Sequence, residues 1–246
     1  LKTLDLASGA IGTINSWSLK IHGTSDSYQK VSGNPEVRDS NIAVGVNHAC
    51  AISSTYNVVC WGHSNYGAIG DGSSGVTRHD PVGISMPGSR DAISISAGAD
   101  HSCALLSDGN ISCWGRNNVG QLGDGTFTNS LIPNLVLLPQ GLFAKSISVN
   151  DYHSCAILSD DSVYCWGDND KGQLGDGTTT NRNAPSKVNS LPEGIPAVEV
   201  SVGARHSCTV LADFSAYCWG ANNEGRLGNG GTSTGATTSA TSVVAI

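Results

Sequence analysis

Four histidines in this chain each precede a cysteine by two residues, and a second cysteine follows ten residues after the first. The histidines are His48, His101, His153 and His206. The cysteine pairs are Cys50/Cys60, Cys103/Cys113, Cys155/Cys165 and Cys208/Cys218. Imidazole and thiolate both bind zinc, but a zinc site needs two further ligands, and the chain has no C-x-x-C sequence. Disulfides are therefore predicted, with free buried thiols and metal binding as alternatives.

The second cysteine pair fits a β-hairpin. Residues 103–106 and 110–113 have strand character and flank Ser107-Asp108-Gly109, which suits a three-residue loop with glycine in the left-handed position. This register places Cys103 opposite Cys113 in a non-hydrogen-bonded pair, where a disulfide can form. The other three units lack this glycine, so we expect their turns to differ.

The cysteine hairpins belong to a unit that occurs four times, with histidines 53, 52 and 53 residues apart. Each unit begins with an alternating β-branched run, such as Ile93–Ser96 or Val198–Val202, and its hairpin ends at a tryptophan. A glycine-rich segment follows, and a proline then precedes a short apolar run. Four strands in about 52 residues are typical of a propeller blade. The predicted fold class is all-β, a β-propeller of four-stranded blades.

The segments Cys113–Thr126 and Cys165–Thr178 read C-W-G-x-N-x-x-G-Q-L-G-D-G-T. Together with Gly98–Leu105 they resemble the repeat of the regulator of chromosome condensation family. The resemblance covers roughly residues 41–246, with repeats at about 41–92, 93–144, 145–197 and 198–246. It implies a propeller, usually of seven blades, so we expect the chain to be a fragment in which Ser242–Ile246 opens a fifth blade.

The N-terminal segment Gly12–Gly23 reads G-T-I-N-S-W-S-L-K-I-H-G. It resembles the closing strands of the P domain (P/Homo B) of kexin and furin relatives, which would make residues 1–24 a jelly-roll remnant and residues 25–40 a linker. This resemblance implies a secreted subtilisin-like protease whose catalytic residues lie outside this chain. An unrelated edge strand, or a strand of the propeller, is the alternative.

Composition excludes several function classes. The net charge is −7, and 13 Lys and Arg residues are spread thinly, so no nucleic-acid partner is expected. No apolar run approaches the roughly 18 residues that span a bilayer, so membrane insertion is not expected. No nucleophile, base and orienting residue can be assembled, and no cofactor is predicted. The sequence favours a secreted or cell-surface binding module for a protein or glycan. Guanine-nucleotide exchange, the activity of the family's namesake, is a remote alternative.

The repeated polar residues are interpreted as structural. Each histidine is expected to bond a turn within its own blade, each tryptophan to pack between blades rather than stack on a ligand, and each loop Asn and Asp to bond its own backbone. Asp168 and Asp170 could suggest calcium, but the EF-hand glycine and glutamate are missing. Asn110-Ile111-Ser112 is a glycosylation sequon in a predicted strand.

Binding specificity should lie in segments that differ between blades, which are residues 73–91, 126–145 and 178–196. Five residues there form the predicted partner surface: Arg78, His79, Arg90, Arg182 and Lys187. The alternative is that they are solvated loop charges.

Overall fold

The computed structural model describes residues 41–243, and these residues form four antiparallel sheets of four strands each. We term them blades 1 to 4 in chain order. Within each blade the strands are hydrogen-bonded in sequence order, so each blade is a meander. The predictions for residues 1–24, for the linker 25–40 and for the final residues 244–246 lie outside the described residues.

The strand limits repeat from blade to blade. Blade 1 contains β1 (Ile42–Val44), β2 (His48–Ile52), β3 (Val58–His63) and β4 (Thr77–Ile84). Blade 2 contains β5 (Ala92–Ala97), β6 (His101–Leu106), β7 (Ile111–Gly115) and β8 (Ser130–Leu135). Blade 3 contains β9 (Ala144–Asn150), β10 (His153–Leu158), β11 (Val163–Gly167) and β12 (Arg182–Lys187). Blade 4 contains β13 (Ala197–Val202), β14 (His206–Leu211), β15 (Ala216–Asn222) and β16 (Ser233–Ser242). Two single 3₁₀ turns occur at Asn65–Gly67 and Pro87–Ser89.

Burial follows the position of each blade in the stack. Every residue of β6 and β10, the second strands of the two middle blades, is buried, because neighbouring blades cover both faces. In β14 of blade 4 buried and half-buried residues alternate, which is the pattern of a strand covered on one face. The all-β fold of stacked four-stranded blades is therefore confirmed.

The repeated tryptophans of blades 2, 3 and 4 fill the space between blades, as predicted, whereas Trp61 of blade 1 is half-buried. Trp114, Trp166 and Trp219 are fully buried, and Trp166 packs in one cluster with Leu122 and Val136 of blade 2. A Cβ atom at Gly123 would lie 2.7 Å from Trp166 Nε1, so the glycine-rich loop of blade 2 leaves room for the indole of blade 3.

The hairpin turns correct one prediction. Blade 2 has the predicted turn, with Gly109 at φ 78° and the Leu106 amide donating to the Asn110 carbonyl over 2.8 Å. The other blades make the same turn without glycine, and the residues at its left-handed position are Tyr56, Asp161 and Phe214, with φ of 62°, 61° and 67°. The expectation of different turns was wrong because tertiary structure holds non-glycine residues in a strained conformation here.

The chain after β15 corrects a second prediction. Ser242 is the last residue of β16, which pairs with β15, and the Val243 amide donates to the Ala216 carbonyl over 3.0 Å. These two residues complete blade 4 and do not open a fifth blade.

Candidate functional site

The four cysteine pairs are disulfides, each joining the two central strands of one blade. In every pair the two residues are direct cross-strand partners with Cα atoms 4.1 Å apart, and no cysteine is free. The bonds are Cys50–Cys60, Cys103–Cys113, Cys155–Cys165 and Cys208–Cys218.

Residues 41–243 contain no group of three or more side chains arranged to hold a metal ion. Among the same residues no helix has the length and apolarity of a membrane span.

The repeated histidine joins neighbouring blades. His101 Nε2 of blade 2 lies 3.1 Å from Ser154 Oγ of blade 3. Ser154 Oγ donates to the Gln121 carbonyl of blade 2 over 3.0 Å, and Trp166 Nε1 of blade 3 donates to the same oxygen over 3.0 Å. We term this set of four groups the inter-blade bridge. The prediction that the histidine bonds within its own blade was wrong, because its partner is a hydroxyl on the next blade.

The same bridge occurs at the two other interfaces between described blades. Blades 1 and 2 are joined through His48, Ser102, the Ala68 carbonyl and Trp114, with distances of 2.8, 3.1 and 2.9 Å. Blades 3 and 4 are joined through His153, Ser207, the Gln173 carbonyl and Trp219, with distances of 2.8, 2.9 and 2.8 Å. The repeated residues are thus used in assembling the stack.

The bridge fixes the histidine tautomer. A serine hydroxyl has one proton, and since Ser154 donates it to a carbonyl, it must accept from His101 Nε2–H. His101 Nδ1 is then unprotonated, and it has no hydrogen-bond partner among the described residues. Burial, with a smaller contribution from the nearby His48, lowers the pKa of His101 to about 3, so the ring is neutral near pH 7.

The glycine-rich loop is organised by its asparagine. In blade 2 the Asn117 side chain accepts from the Leu122 amide over 2.9 Å and donates to the Asp124 carboxylate and to the carbonyls of Thr126 and Thr128. Asp124 in turn accepts from the Thr126 amide over 3.0 Å. Asn169 is the equivalent residue in blade 3 and makes the same contacts. The prediction that these residues bond their own loop is confirmed.

The structure does not gather the five predicted partner residues into one patch. Arg78 and Arg182 lie at the start of β4 and β12, the outer strands of blades 1 and 3. Arg78 pairs with Asp71 over 2.6 Å, and Arg182 pairs with Asp176 over 2.7 Å. Each arginine therefore braces the aspartate of its own glycine-rich loop.

The other three predicted residues lie elsewhere. Arg90 pairs with Asp108 in the hairpin turn of blade 2, and Lys187 lies 3.7 Å from Asp160 in the turn of blade 3. His79 is exposed on β4. Whether any of the five contacts a partner stays a prediction.

A different cluster of side chains lies at one end of the sheets. This end carries the β1–β2 and β3–β4 loops of blade 1 and the equivalent loops of the other blades. We term it the Arg116 end. The guanidinium of Arg116 in blade 2 lies 5.0 Å from the ring centre of Tyr66 in blade 1 and 4.9 Å from that of Tyr152 in blade 3. Its Nη1 is 3.5 Å from the Asp100 carboxylate. Tyr66 is 44% exposed, so the cluster reaches the surface.

Sequence reasoning missed both the bridge and this cluster, although aligned units contain a signal for each. Serine follows the histidine in three units, which indicates a shared partner, and the first unit has Ala49 there. The position of Arg116 holds His63, Asp168 or Ala221 in the other units. A residue that differs in an otherwise repeated segment indicates a role outside the common scaffold.

Comparison with protein families and solved structures agrees with the propeller fold. A model of the RCC1-like domain matches residues 7–245, a range that also includes the segment resembling a P domain. The Ultraviolet-B receptor UVR8 of Arabidopsis thaliana is 29% identical over 227 residues, which cover 89% of this chain and 51% of that protein. The E3 ubiquitin-protein ligase HERC2 of Homo sapiens is 31% identical over 188 residues, 76% of this chain and 4% of that protein. The chain thus spans about half the length, or much less, of these relatives.

Two solved structures share the fold. Human WBSCR16 superposes with a TM-score of 0.74 at 19% identity, covering 84% of this chain and 53% of that one. Yeast RCC1 (Prp20), solved bound to Kap60, superposes with a TM-score of 0.72 at 24% identity, covering 83% of this chain and 48% of that one.

Proposed function

Because the chain belongs to the family of RCC1-like domains, we propose that it is a non-catalytic protein-binding module that works in an oxidising, extracellular environment and presents the Arg116 end to its partner. The observation that supports the binding surface most directly is the cluster of Tyr66, Arg116 and Tyr152. These residues come from three blades, and each stands where the other blades carry a different residue type. Tyrosine and arginine are also the residue types enriched at the centres of protein interfaces.

The hydrogen bonding and burial of the repeated histidines and serines support a non-catalytic role. Histidine and serine lie close together at three interfaces, but each serine proton is donated to a carbonyl and each pair is buried. A serine nucleophile needs an accessible oxygen and a base that is free to take its proton. The repeated pairs meet neither condition.

Position-specific photo-crosslinking tests the binding surface. A photo-reactive phenylalanine analogue at Tyr66 should yield a discrete adduct with a partner protein in culture medium or cell-surface extract of the source organism. The matched control is Tyr56, which is 40% exposed, has a similar positive φ and lies at the opposite, hairpin end of blade 1. Equal adducts from both positions, or none from Tyr66, would contradict the proposal.

Alkylation tests the environment. The proposal expects native protein, isolated under conditions that trap thiols, to show no alkylated cysteine until it is denatured and reduced. Four disulfides within single blades rather than between blades should then appear in peptide maps. Eight alkylated cysteines in freshly isolated protein would contradict an oxidising environment.

A second proposal concerns the protein that contains this module. The resemblance of residues 12–23 to a P domain supports an accessory or targeting role beside a secreted subtilisin-like protease domain. The reading frame upstream of Leu1 tests this proposal, since a subtilase domain there would support it and its absence would remove it. Guanine-nucleotide exchange is supported only by the family resemblance, and nucleotide release from a panel of small GTPases would test it.

A further inference from the structure

One loop of blade 2 lacks a hydrogen-bond acceptor that the same loop of blade 3 supplies for itself. In blade 3 the fully buried Gln173 accepts from the Lys171 amide over 2.8 Å through Oε1. Its Nε2 donates to the carboxylate of Asp168 over 2.9 Å. Both ends of this buried amide are therefore satisfied within the loop.

Blade 2 keeps the glutamine but replaces its acceptor. Gln121 is fully buried, and its Oε1 accepts from the Val119 amide over 3.1 Å, as in blade 3. The residue equivalent to Asp168 is Arg116, which is a donor only. Gln121 Nε2 is buried and has no partner in the described part of the chain. Turning the amide over would break its bond to Val119, so the donor stays unpaired.

Arg116, at the position that Asp168 holds in blade 3, also presents donors. Arg116 Nε donates to Asn118 Oδ1 over 2.7 Å, whereas Nη2 has no acceptor among residues 41–243. Tyr66 and Tyr152 lie over the guanidinium at about 5 Å, which limits its rotation. The side chain of Arg116 is 25% exposed, so it is not sealed off from a partner. A held guanidinium loses little entropy when a carboxylate binds to its edge.

Backbone conformation points to the same place. Among the described loops at the Arg116 end, only two non-glycine residues have positive φ: Tyr66 at 52° and Asp151 at 27°. One is a tyrosine of the cluster, and the other immediately precedes Tyr152. Strained residues of this kind are concentrated at binding sites.

We propose that Arg116, Gln121, Tyr66 and Tyr152 form a binding site for a glutamate or aspartate side chain of a partner protein. The bound carboxylate replaces the acceptor that Asp168 provides in blade 3. It accepts a hydrogen bond from the Gln121 side-chain amide and another from the Arg116 guanidinium. A singly charged carboxylate fits better than a phosphate, because Asp100 already lies 3.5 Å from Arg116. The exposed ring of Tyr66 provides contact area for the rest of a protein partner.

This inference rests on the proposed protein-binding function and is tested with defined peptides. Isotope-labelled protein is titrated with Ac-Gly-Glu-Gly-NH2, its glutamine analogue Ac-Gly-Gln-Gly-NH2 and the free acid Ac-Gly-Gly-Gly-OH. The readouts are the side-chain amide signals of Gln121 and the Nε–H signal of Arg116. We expect saturable shifts with the glutamate peptide and about tenfold weaker binding of the glutamine peptide, corresponding to one lost charge-assisted contact.

Each other outcome overturns the proposal. If neither signal moves, no carboxylate binds at this site. If the glutamine peptide binds equally, charge is not recognised. If only the free acid binds, the site takes a chain terminus and not a side chain. If Tyr66 crosslinks to a partner while the peptides leave Gln121 unmoved, the carboxylate assignment fails and the binding-module proposal stands.

A variant copied from blade 3 sharpens the test. Arg116→Asp should supply the missing acceptor within the chain, shift the Gln121 amide signals without peptide, and weaken peptide binding by more than tenfold. Arg116→Asp also places a second negative charge near Asp100, which lies 3.5 Å from Arg116. Arg116→Gln is therefore a second variant, because it removes the positive charge without adding a negative one. Arg205→Gln, which removes an exposed cation at the same end of blade 4, is the control and should bind as the unaltered chain does. Unchanged binding by both Arg116 variants would overturn the assignment.

Discussion

The interface between blades 2 and 3 and the outer side of blade 4 carry the same motif in different surroundings. His101 is fully buried and bonded to Ser154 of the next blade, whereas His206 is only half-buried and its Nε2 has no partner among the described residues. The Gln121 carbonyl accepts from a serine and a tryptophan of blade 3, and the equivalent Arg226 carbonyl receives no side-chain donor within the described range. The same sequence therefore contributes different stabilisation according to its neighbour.

The two histidines, His101 and His206, also differ in how strongly burial affects their pKa values. Burial lowers the pKa of His101 to about 3. For the half-exposed His206, burial and the nearby Arg226 charge lower the pKa in the same direction. Enclosure by a following blade is thus what makes the repeated histidine strongly resistant to protonation.

Acid should destabilise the enclosed interfaces most. Burial lowers the pKa of His48, His101 and His153 to about 4, 3 and 3, below the value of 6.5 in the unfolded chain. The unfolded chain then binds more protons as the pH falls below about 6.5, so the free energy of unfolding decreases by about 2 kcal/mol per histidine at about pH 5. Urea unfolding from about pH 7 to pH 4.5 measures this slope.

The carboxylates cannot explain a loss in that range. Hydrogen bonds from Ser73 and the charge of Arg78 outweigh burial and lower the pKa of Asp71, so its contribution is lost only on further acidification below about pH 4. A free energy of unfolding that stays constant between about pH 7 and pH 5 would show that the histidines are not enclosed as described.

Truncation of a single histidine tests directly whether its contribution to stability depends on the following blade. His153→Ala should lower the free energy of unfolding by about 2–4 kcal/mol, because it leaves a cavity and removes the partner of Ser207. His206→Ala should cost less than about 1 kcal/mol, since the lost ring is half-exposed and unbonded. Denaturant unfolding monitored by tryptophan fluorescence compares the two variants, and equal losses would refute the role of the following blade.

Removal of one disulfide tests whether its contribution depends on position. The double substitution Cys155→Ala with Cys165→Ala should cost about 2–3 kcal/mol from chain entropy alone, and the same double substitution at Cys208 and Cys218 should share that term. The first pair should cost more, because Cys155 Sγ also lies 3.7 Å from Ser207 Oγ in a filled interface. Thermal unfolding of both variants ranks them, and a larger loss in blade 4 would contradict the comparison.

Local sequence patterns predicted most of the fold. Alternation of β-branched residues gave the first strand of each blade, and the Cys103–Cys113 register followed from the position of Gly109. The bridge could not be predicted in the same way, because His101 and Ser154 are 53 residues apart and meet only when two blades stack.

The candidate site was harder to predict for a related reason. The five residues selected from variable segments were chosen for charge, yet Arg78 and Arg182 stabilise their own loops. The Arg116 cluster combines residues from three blades, and its importance appears only when Gln121 is compared with Gln173 in space. Charge alone does not separate a loop brace from a binding residue.

The smallest expected effect concerns the hairpin turns at the other end of the sheets. Phe214 is 85% exposed with φ of 67°, so Phe214→Gly should raise the free energy of unfolding by about 0.5–1 kcal/mol through relief of backbone strain. Gly109→Ala should lower it by about 1–2 kcal/mol, because a Cβ there would lie 2.7 Å from Phe143 Cβ in the segment just before β9. Paired denaturant unfolding curves measure both changes. If Phe214→Gly destabilises the protein instead, the phenylalanine contributes contacts that outweigh its backbone strain, and the outer side of blade 4 is more fully packed than the half-buried His206 indicates.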